Sequence, residues 1–213
     1  MKELMAQYTQ EEEKAHTVSH IIGFLLALAA CGFLVAQSFG LPQWGRVGVW
    51  VYSLCLLLSY GTSVLYHGAS EGKRKVLFKK FDHIAIYFLI SGSYTVLILN
   101  RLMNEEGFFF LAALWGMTLV GVWFKARYVH RFKVFSTVIY VLMGYIMFLD
   151  PWLFFGVLNR DSKILLVLSG FLYTVGAGFY LWKSQKWTHF VWHLMVIAAA
   201  ALHFGAVYLE LFD

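Results

Sequence analysis

The sequence predicts an all-α integral membrane protein: a bundle of seven transmembrane helices with a cytoplasmic N-terminus and an extracytoplasmic C-terminus. Of the 213 residues, 60% are hydrophobic and only 14% are charged, which is too apolar for an ordinary soluble domain. Seven apolar stretches each approach the roughly 20 residues with which a helix crosses a bilayer. The alternating pattern of membrane β-strands does not occur in the sequence, so a helical bundle is the expected class.

The seven stretches fill most of the chain and predict a single membrane domain over residues 1–213. The predicted helices cover residues 18–38, 46–67, 82–99, 107–124, 134–152, 164–182 and 188–210. We expect residues 1–16 to form a short cytoplasmic tail. Composition gives no sign of a second, soluble module.

The orientation follows from the distribution of basic residues. Of the 17 lysines and arginines, all but four fall in the N-terminal tail and in the loops after the second, fourth and sixth predicted helices. The opposite side carries Arg46, Arg101, Arg160 and Lys163. Because basic loops stay in the cytoplasm, we expect a multi-pass protein of the cell membrane with its N-terminus inside. The positive charge is split among short loops, which argues against a nucleic-acid partner.

This orientation brings most of the histidines to the cytoplasmic leaflet. His189 and His193 are four residues apart and share one face of the last helix, while His67 ends the second helix. His203 is ten residues beyond His193 and therefore ~15 Å deeper. The remaining cytoplasmic-side histidines are His16, His20, His83 and His130.

These histidines are candidate metal ligands. Asp82 opens the third helix, and Ser63 precedes His67 by about one helical turn. Three imidazoles with an open fourth position are typical of a catalytic zinc, and a neighbouring carboxylate can act as a general base. The alternative is structural: histidines at a membrane interface also hydrogen-bond headgroups or neighbouring carbonyls. Histidine spacing alone does not separate these two interpretations.

Six segments spread over nearly the whole chain resemble the hemolysin III branch of the progestin and adiponectin receptor family. That family is similar in its deeper pattern to the alkaline ceramidases. The segments are EEKAHTVSHIIG (12–23), SVLYH (63–67), KKFDHIAIYFLISGSYT (79–95), HRFK (130–133), GFYLW (178–182) and HFVWH with the following LHF (189–204).

The resemblance implies a zinc ion near the cytoplasmic leaflet, held by His67, His189 and His193. It also implies that Asp82 lies beside the metal as a catalytic residue and that Ser63 lines the site. Relatives often carry asparagine at the position of His16. We expect His16 to be a solvated histidine of the tail, with a role as an additional ligand as the alternative.

The other histidines are expected to have supporting roles. We expect His20 to pack between helices or to contact a ligand from outside, with direct metal binding as the less favoured alternative. We expect His83 to be structural. We expect His203 to lie too deep for the site and to form a buried hydrogen bond with a neighbouring helix.

Two functions remain open at this point. The first is a zinc-dependent hydrolase of a lipid amide or ester, with membrane lipids as partners and a lipid or fatty acid inside the bundle. The second is a non-enzymatic protein with a structural zinc and a cytolytic, receptor-like or lipid-homeostasis role. Asp82 and Ser63 favour the hydrolase, because a structural zinc prefers a fourth protein ligand and the sequence shows no obvious one.

Overall fold

The computed structural model describes residues 8–182 and 184–212, and the regular structure in these ranges is entirely helical. The helices are α1 (Gln10–Ser38), α2 (Gln43–Gly68), α3 (Lys73–Arg101), α4 (Glu105–Tyr128), α5 (Lys133–Gly144), α6 (Pro151–Val157), α7 (Arg160–Leu181) and α8 (Thr188–Phe212). Six of them, α1 to α4, α7 and α8, are long and apolar enough to cross a membrane. The predicted fold class, a helical membrane bundle, is therefore confirmed.

The helices pack closely where small residues face a neighbour. A Cβ atom added to Gly92 of α3 would lie 2.8 Å from the Cβ of Cys55 in α2. A Cβ added to Gly121 of α4 would lie 2.5 Å from the ring of Tyr87 in α3. Small residues of this kind let membrane helices approach each other, and they fix the position of α3, which carries Asp82, between α2 and α4.

Helix α1 begins at Gln10, eight residues before the predicted start. Thr9 and Glu12 form a capping box: the Thr9 hydroxyl accepts from the Glu12 amide, and the Glu12 carboxylate accepts from the Thr9 amide. Such a box satisfies amide groups that the first turn leaves free. As a result, His16 lies inside the helix rather than in an extended tail.

The fifth predicted span is interrupted. Helix α5 ends at Gly144, a 3₁₀ turn covers Ile146–Leu149, and α6 begins at Pro151. The break has a local cause, because the Asp150 side chain accepts from the Leu153 amide as an N-cap and proline favours the first turn of a helix. The prediction of one continuous helix over 134–152 is wrong.

Tyr94 of α3 hydrogen-bonds backbone groups that the interruption leaves without helical partners. Its hydroxyl donates to the Gly144 carbonyl at 2.7 Å and accepts from the Met147 amide at 3.4 Å. Backbone groups at membrane depth need such partners, because lipid supplies none. The interruption is thus tolerated inside the bundle.

The interrupted segment is long enough to contribute a seventh crossing. The 12 residues of α5 extend about 18 Å, and the four residues of the 3₁₀ turn add roughly 8 Å. Their combined length approaches the ~30 Å of the hydrocarbon core. Seven crossings and opposite sides for the termini remain predictions.

An ion pair joins three helices at the end of the bundle where α3 and α8 terminate. The Arg101 Nε lies 2.9 Å from the Glu210 Oε2, and the Glu210 side chain is 1% exposed. Glu210 Oε1 also accepts from the amide of Asn159, the N-cap of α7, at 2.6 Å. This carboxylate therefore ties α3, α7 and α8 together.

We expect a reporter fused to the C-terminus to be located outside the cytoplasm. The basic loops hold the N-terminus inside, and an odd number of crossings places the other end on the opposite side. Paired fusions of a periplasm-active and a cytoplasm-active reporter check this, with a fusion in the loop between α2 and α3 as the cytoplasmic control. A cytoplasmic C-terminus would show that α5 and α6 do not cross together.

Candidate metal centre

Five histidines converge at one end of the bundle. Helix α1 contributes His16 and His20, α2 contributes His67 near its last residue, and α8 contributes His189 and His193 in its first turns. The four-residue spacing on α1 and α8 puts both members of each pair on one face. This end is the one at which α1, α3 and α8 begin, as the predicted convergence requires.

Three of these histidines are close enough to share one ion. Ring nitrogens of His16, His67 and His189 all lie within 4.8 Å of one another. The Nε2 atoms of His67 and His189 are 3.4 Å apart. Two nitrogens bound at about 2.0–2.1 Å to a tetrahedral ion are roughly 3.4 Å apart, so this separation suits a metal bridge between the two rings.

Hydrogen bonds orient the rings of His67 and His193. The His67 Nδ1 donates to the Glu13 Oε2 at 2.7 Å. Ser19 donates its hydroxyl hydrogen to the His16 carbonyl, so at 3.3 Å its Oγ can only accept from the His193 Nδ1. Both rings thus carry their hydrogen on Nδ1 and leave the Nε2 lone pair free, the usual state of a metal-binding histidine.

Other ring nitrogens in the cluster have no hydrogen-bond partner among the described residues. These are both ring nitrogens of His16, the Nδ1 of His189 and the Nδ1 of His20, all of them buried. An unpaired buried polar atom costs ~1–3 kcal/mol, and a metal ion would relieve that cost for an imidazole lone pair. The donor set therefore fits a metal such as zinc, which accepts nitrogen ligands in a tetrahedral arrangement.

Glu13 is the acidic partner of the cluster. Besides the His67 ring, its carboxylate contacts Lys75, with 2.8 Å between the Lys75 Nζ and the Glu13 Oε1. The Glu13 Oε2 lies 3.9 Å from the His16 Nδ1, beyond hydrogen-bonding range. A carboxylate behind a ligating histidine fixes the ring and strengthens it as a donor.

We expect Glu13→Gln to weaken metal binding by about 10–100-fold, the usual effect of losing an outer partner of a ligand. The amide keeps the size of the side chain but no longer carries the charge that stabilises the His67 ring. Competition with a chelator measures the change. Glu11→Gln is the matched control, because Glu11 lies in the same helical turn and is exposed; an equal loss in both variants would contradict the assignment.

Asp82 and Ser63 lie beside the cluster. Both line the same cavity as His67, His189 and His193. The Asp82 Oδ2 is 3.3 Å from the Nδ1 of His83. The His83 ring is hydrogen-bonded to the Lys79 carbonyl and the Tyr180 hydroxyl, and it also lines the cavity.

A cavity of about 370 Å³ extends from the cluster into the bundle. Along α3 its wall runs from Asp82 to Leu97, a distance of about 23 Å at 1.5 Å per residue. Most of its deeper wall is apolar, with Leu89, Ile90 and Phe171 among the lining residues. The cavity has the proportions of a site for an extended apolar chain with its polar end at the histidines.

Tyr8 covers the cluster from the N-terminal side. Its ring stacks on His189, with 4.8 Å between centroids and 20° between planes, and meets His16 edge-on at 4.9 Å. Burial raises the pKa of the Tyr8 phenol well above its usual range, so this ring stays neutral. It packs against both of these histidines on this face.

Of the three predicted ligands, the structure groups the ring nitrogens of His67 and His189 with those of His16, while His193 lines the same cavity. Two other histidines differ from expectation. His16 is 0% exposed, so the expectation of a solvated tail histidine is wrong; the capping box that starts α1 early was the available signal. His203 lies away from the cluster, as expected, but its buried Nδ1 has no hydrogen-bond partner among the described residues. Sequence reasoning also missed Glu13 and Ser19.

Together, the helical bundle and its histidine cluster define a multi-pass membrane protein with a candidate metal centre. The family model described as "Haemolysin-III related" matches residues 8–204. The chain belongs to this family, and the resemblance inferred from its motifs is confirmed.

Known relatives cover almost the whole chain. It is 36% identical to "Hemolysin-3 homolog" of Bacillus subtilis (strain 168), with 94% of each chain covered. It is 35% identical to "Hemolysin-3" of Bacillus cereus, covering 97% of this chain and 96% of the relative. It is 26% identical to the human "Monocyte to macrophage differentiation factor", over 94% and 85% of the two chains. No solved structure matches the chain.

Proposed function

We propose that the protein is a zinc-dependent membrane hydrolase that cleaves a lipid amide or ester. The carrying observation is the continuity between the histidine cluster and the apolar cavity. Asp82 and Ser63 stand at the boundary between the two, where the polar end of a lipid would lie.

His67, His189 and His193 are the proposed zinc ligands. The hydrogen bonds from His67 to Glu13 and from His193 to Ser19 hold the two rings with Nε2 free. When bound, a zinc ion at three imidazoles supplies a Lewis acid that polarises a carbonyl. The rings are presented by α2 and α8, so their positions are set by rigid elements.

The other residues of the site would act through their own side chains. The side chain of Asp82 is 18% exposed and can accept a proton from water as a general base. The hydroxyl of Ser63 can hydrogen-bond the carbonyl of a lipid headgroup. The apolar wall of the cavity excludes water from the acyl chain and aligns the scissile bond at the histidines.

A second candidate function is a non-enzymatic one with a structural metal. The specific observation in its favour is His16, a fourth imidazole whose two nitrogens have no hydrogen-bond partner in the described part of the chain. In this case the cavity would bind a membrane lipid or fatty acid without cleaving it. Recovery of a bound intact lipid, with no turnover of a broad lipid panel, would favour this function over the hydrolase.

Purified protein should contain about one zinc per chain, because the described residues hold one such histidine cluster. We expect His189→Ala or His193→Ala to lose most of it, since each removes a ligand. Asp82→Ala should weaken binding less, by about 10–100-fold as for an outer partner. Elemental analysis of the detergent-purified variants measures this, and His130→Ala, outside the cluster, is the control. Full zinc in both ligand variants would place the metal elsewhere.

A further inference from the structure

His16 lies among the proposed ligands at nearly equal distances. The ring centroid of His16 is 4.8 Å from those of His67, His189 and His193. The other three separations are 5.3 Å between His67 and His189, 4.9 Å between His67 and His193, and 4.5 Å between His189 and His193. Four points with nearly equal mutual distances occupy the corners of a tetrahedron.

This arrangement matches the preference of zinc. Four imidazoles bound to one tetrahedral ion at about 2.0–2.1 Å have ring centroids roughly 5 Å apart. The six observed separations, from 4.5 to 5.3 Å, bracket this value. The four rings come from α1, α2 and α8, so an ion at their centre would join three helices.

No hydrogen bond among the described residues accounts for the position of the His16 side chain, which contacts the Tyr8 ring and lies 3.9 Å from the Glu13 carboxylate. His16 is 0% exposed, and neither ring nitrogen has a hydrogen-bond partner among the described residues. A buried imidazole without partners is costly at a membrane span. Binding a cation would satisfy one nitrogen, while the other remains 3.9 Å from the Glu13 carboxylate.

His20 does not share this position, although it is also buried and lies one turn further along α1. Its ring centroid is 4.0 Å from that of His193 but 6.3 Å from that of His67. It therefore lies outside the tetrahedron and provides a matched control for His16 on the same helix face.

We propose that His16 is the fourth protein ligand of the metal held by His67, His189 and His193, so that the protein can close its own metal site. The ring nitrogens of His16, His67 and His189 already lie within 4.8 Å of one another, and His193 would complete the set. The proposal rests on the metal binding of the proposed function but not on hydrolysis. A closed four-ligand site is typical of structural zinc. For the hydrolase, it means that His16 must leave the metal before a lipid carbonyl can reach it.

The test replaces His16 with a ligand that has a spectroscopic signature. Detergent-purified protein is stripped of metal and loaded with Co²⁺, which reports its ligands by absorption. We expect His16→Cys to show a thiolate-to-cobalt charge-transfer band in the near ultraviolet. His20→Cys and the wild type, which contains Cys31 and Cys55, should lack it. A His16→Cys spectrum identical to that of the wild type would overturn the proposal.

A second variant tests the proposal if the cysteine variant does not fold. His16→Asn should lower Co²⁺ affinity by more than the roughly 10–100-fold of an outer partner. Added azide should then change the spectrum of the variant, whereas the spectrum of the wild type should not change. Unchanged affinity in His16→Asn, with loss in His67→Asn, would overturn this proposal alone. Loss in both variants without any lipid turnover would support it and remove the hydrolase. A wild type that binds no stoichiometric metal would overturn both.

Discussion

Asp82→Asn should abolish lipid turnover while leaving the metal and the fold in place. The amide has the size and polarity of the carboxylate but cannot take a proton from water, and removal of a general base typically costs about 10²–10⁴-fold in rate. Release of free fatty acid from a long-chain amide lipid, in detergent or in liposomes, measures the loss. Zinc content and melting temperature, measured on the same sample, should stay close to those of the wild type.

Two controls make this result specific. Wild-type protein treated with a chelator should be as inactive as the variant, because the carbonyl is then no longer polarised. Asp161→Asn, an exposed acidic residue in the first turn of α7, should keep full activity. The hydrolase would be contradicted by a wild type that releases nothing from a broad lipid panel while Asp82→Asn melts at a lower temperature. Asp82 would then be a structural residue.

Arg101→Met should destabilise the protein by about 3 kcal/mol, because it leaves the Glu210 carboxylate buried without its cation. Removing one partner of a buried ion pair typically costs roughly 3–5 kcal/mol. The lower end applies here because the Arg101 side chain is 40% exposed and water already screens part of the interaction. Thermal unfolding in detergent measures the change.

The matched control is Arg160→Met, an exposed arginine at the start of α7, at the same end of the bundle. Its loss should change the melting temperature little, as expected for a surface charge. Adding Glu210→Gln to Arg101→Met should recover part of the stability, because a neutral amide is cheaper to bury than an unpaired carboxylate. Equal melting temperatures for the two single variants would show that the ion pair does not tie the helices together.

Much of the candidate site follows from helical periodicity and the positive-inside rule. Together they bring His67, Asp82, His189 and His193 to one leaflet before any distance is known, and the structure lines one cavity with all four. The same rules bring His16 to this leaflet, but they could not predict its burial, because the acidic run before it looked like a solvated tail. The structure instead pairs those acids: Glu12 caps α1, and Glu13 contacts both His67 and Lys75.

The fold, like the site, could be predicted from the sequence only in part. Long apolar runs predict α1 to α4, α7 and α8, because length and composition identify a helix that is able to span a bilayer. The interruption after Gly144 depends on Tyr94, a residue 50 positions away whose hydroxyl receives the freed backbone groups. Local sequence can signal the start of a new helix, here through Asp150 and Pro151. It cannot show that a distant side chain hydrogen-bonds the backbone groups that the helix break leaves free in the membrane.

The interruption also bears on how the chain enters the bilayer during synthesis. A 12-residue apolar helix such as α5 is shorter than the segments that insert as independent spans. Domains emerge from the ribosome N-terminus first, so α3 and its Tyr94 are made before α5. We therefore expect insertion of this segment to depend on helices already in the membrane, which makes topogenesis and tertiary packing a single event at this point of the chain.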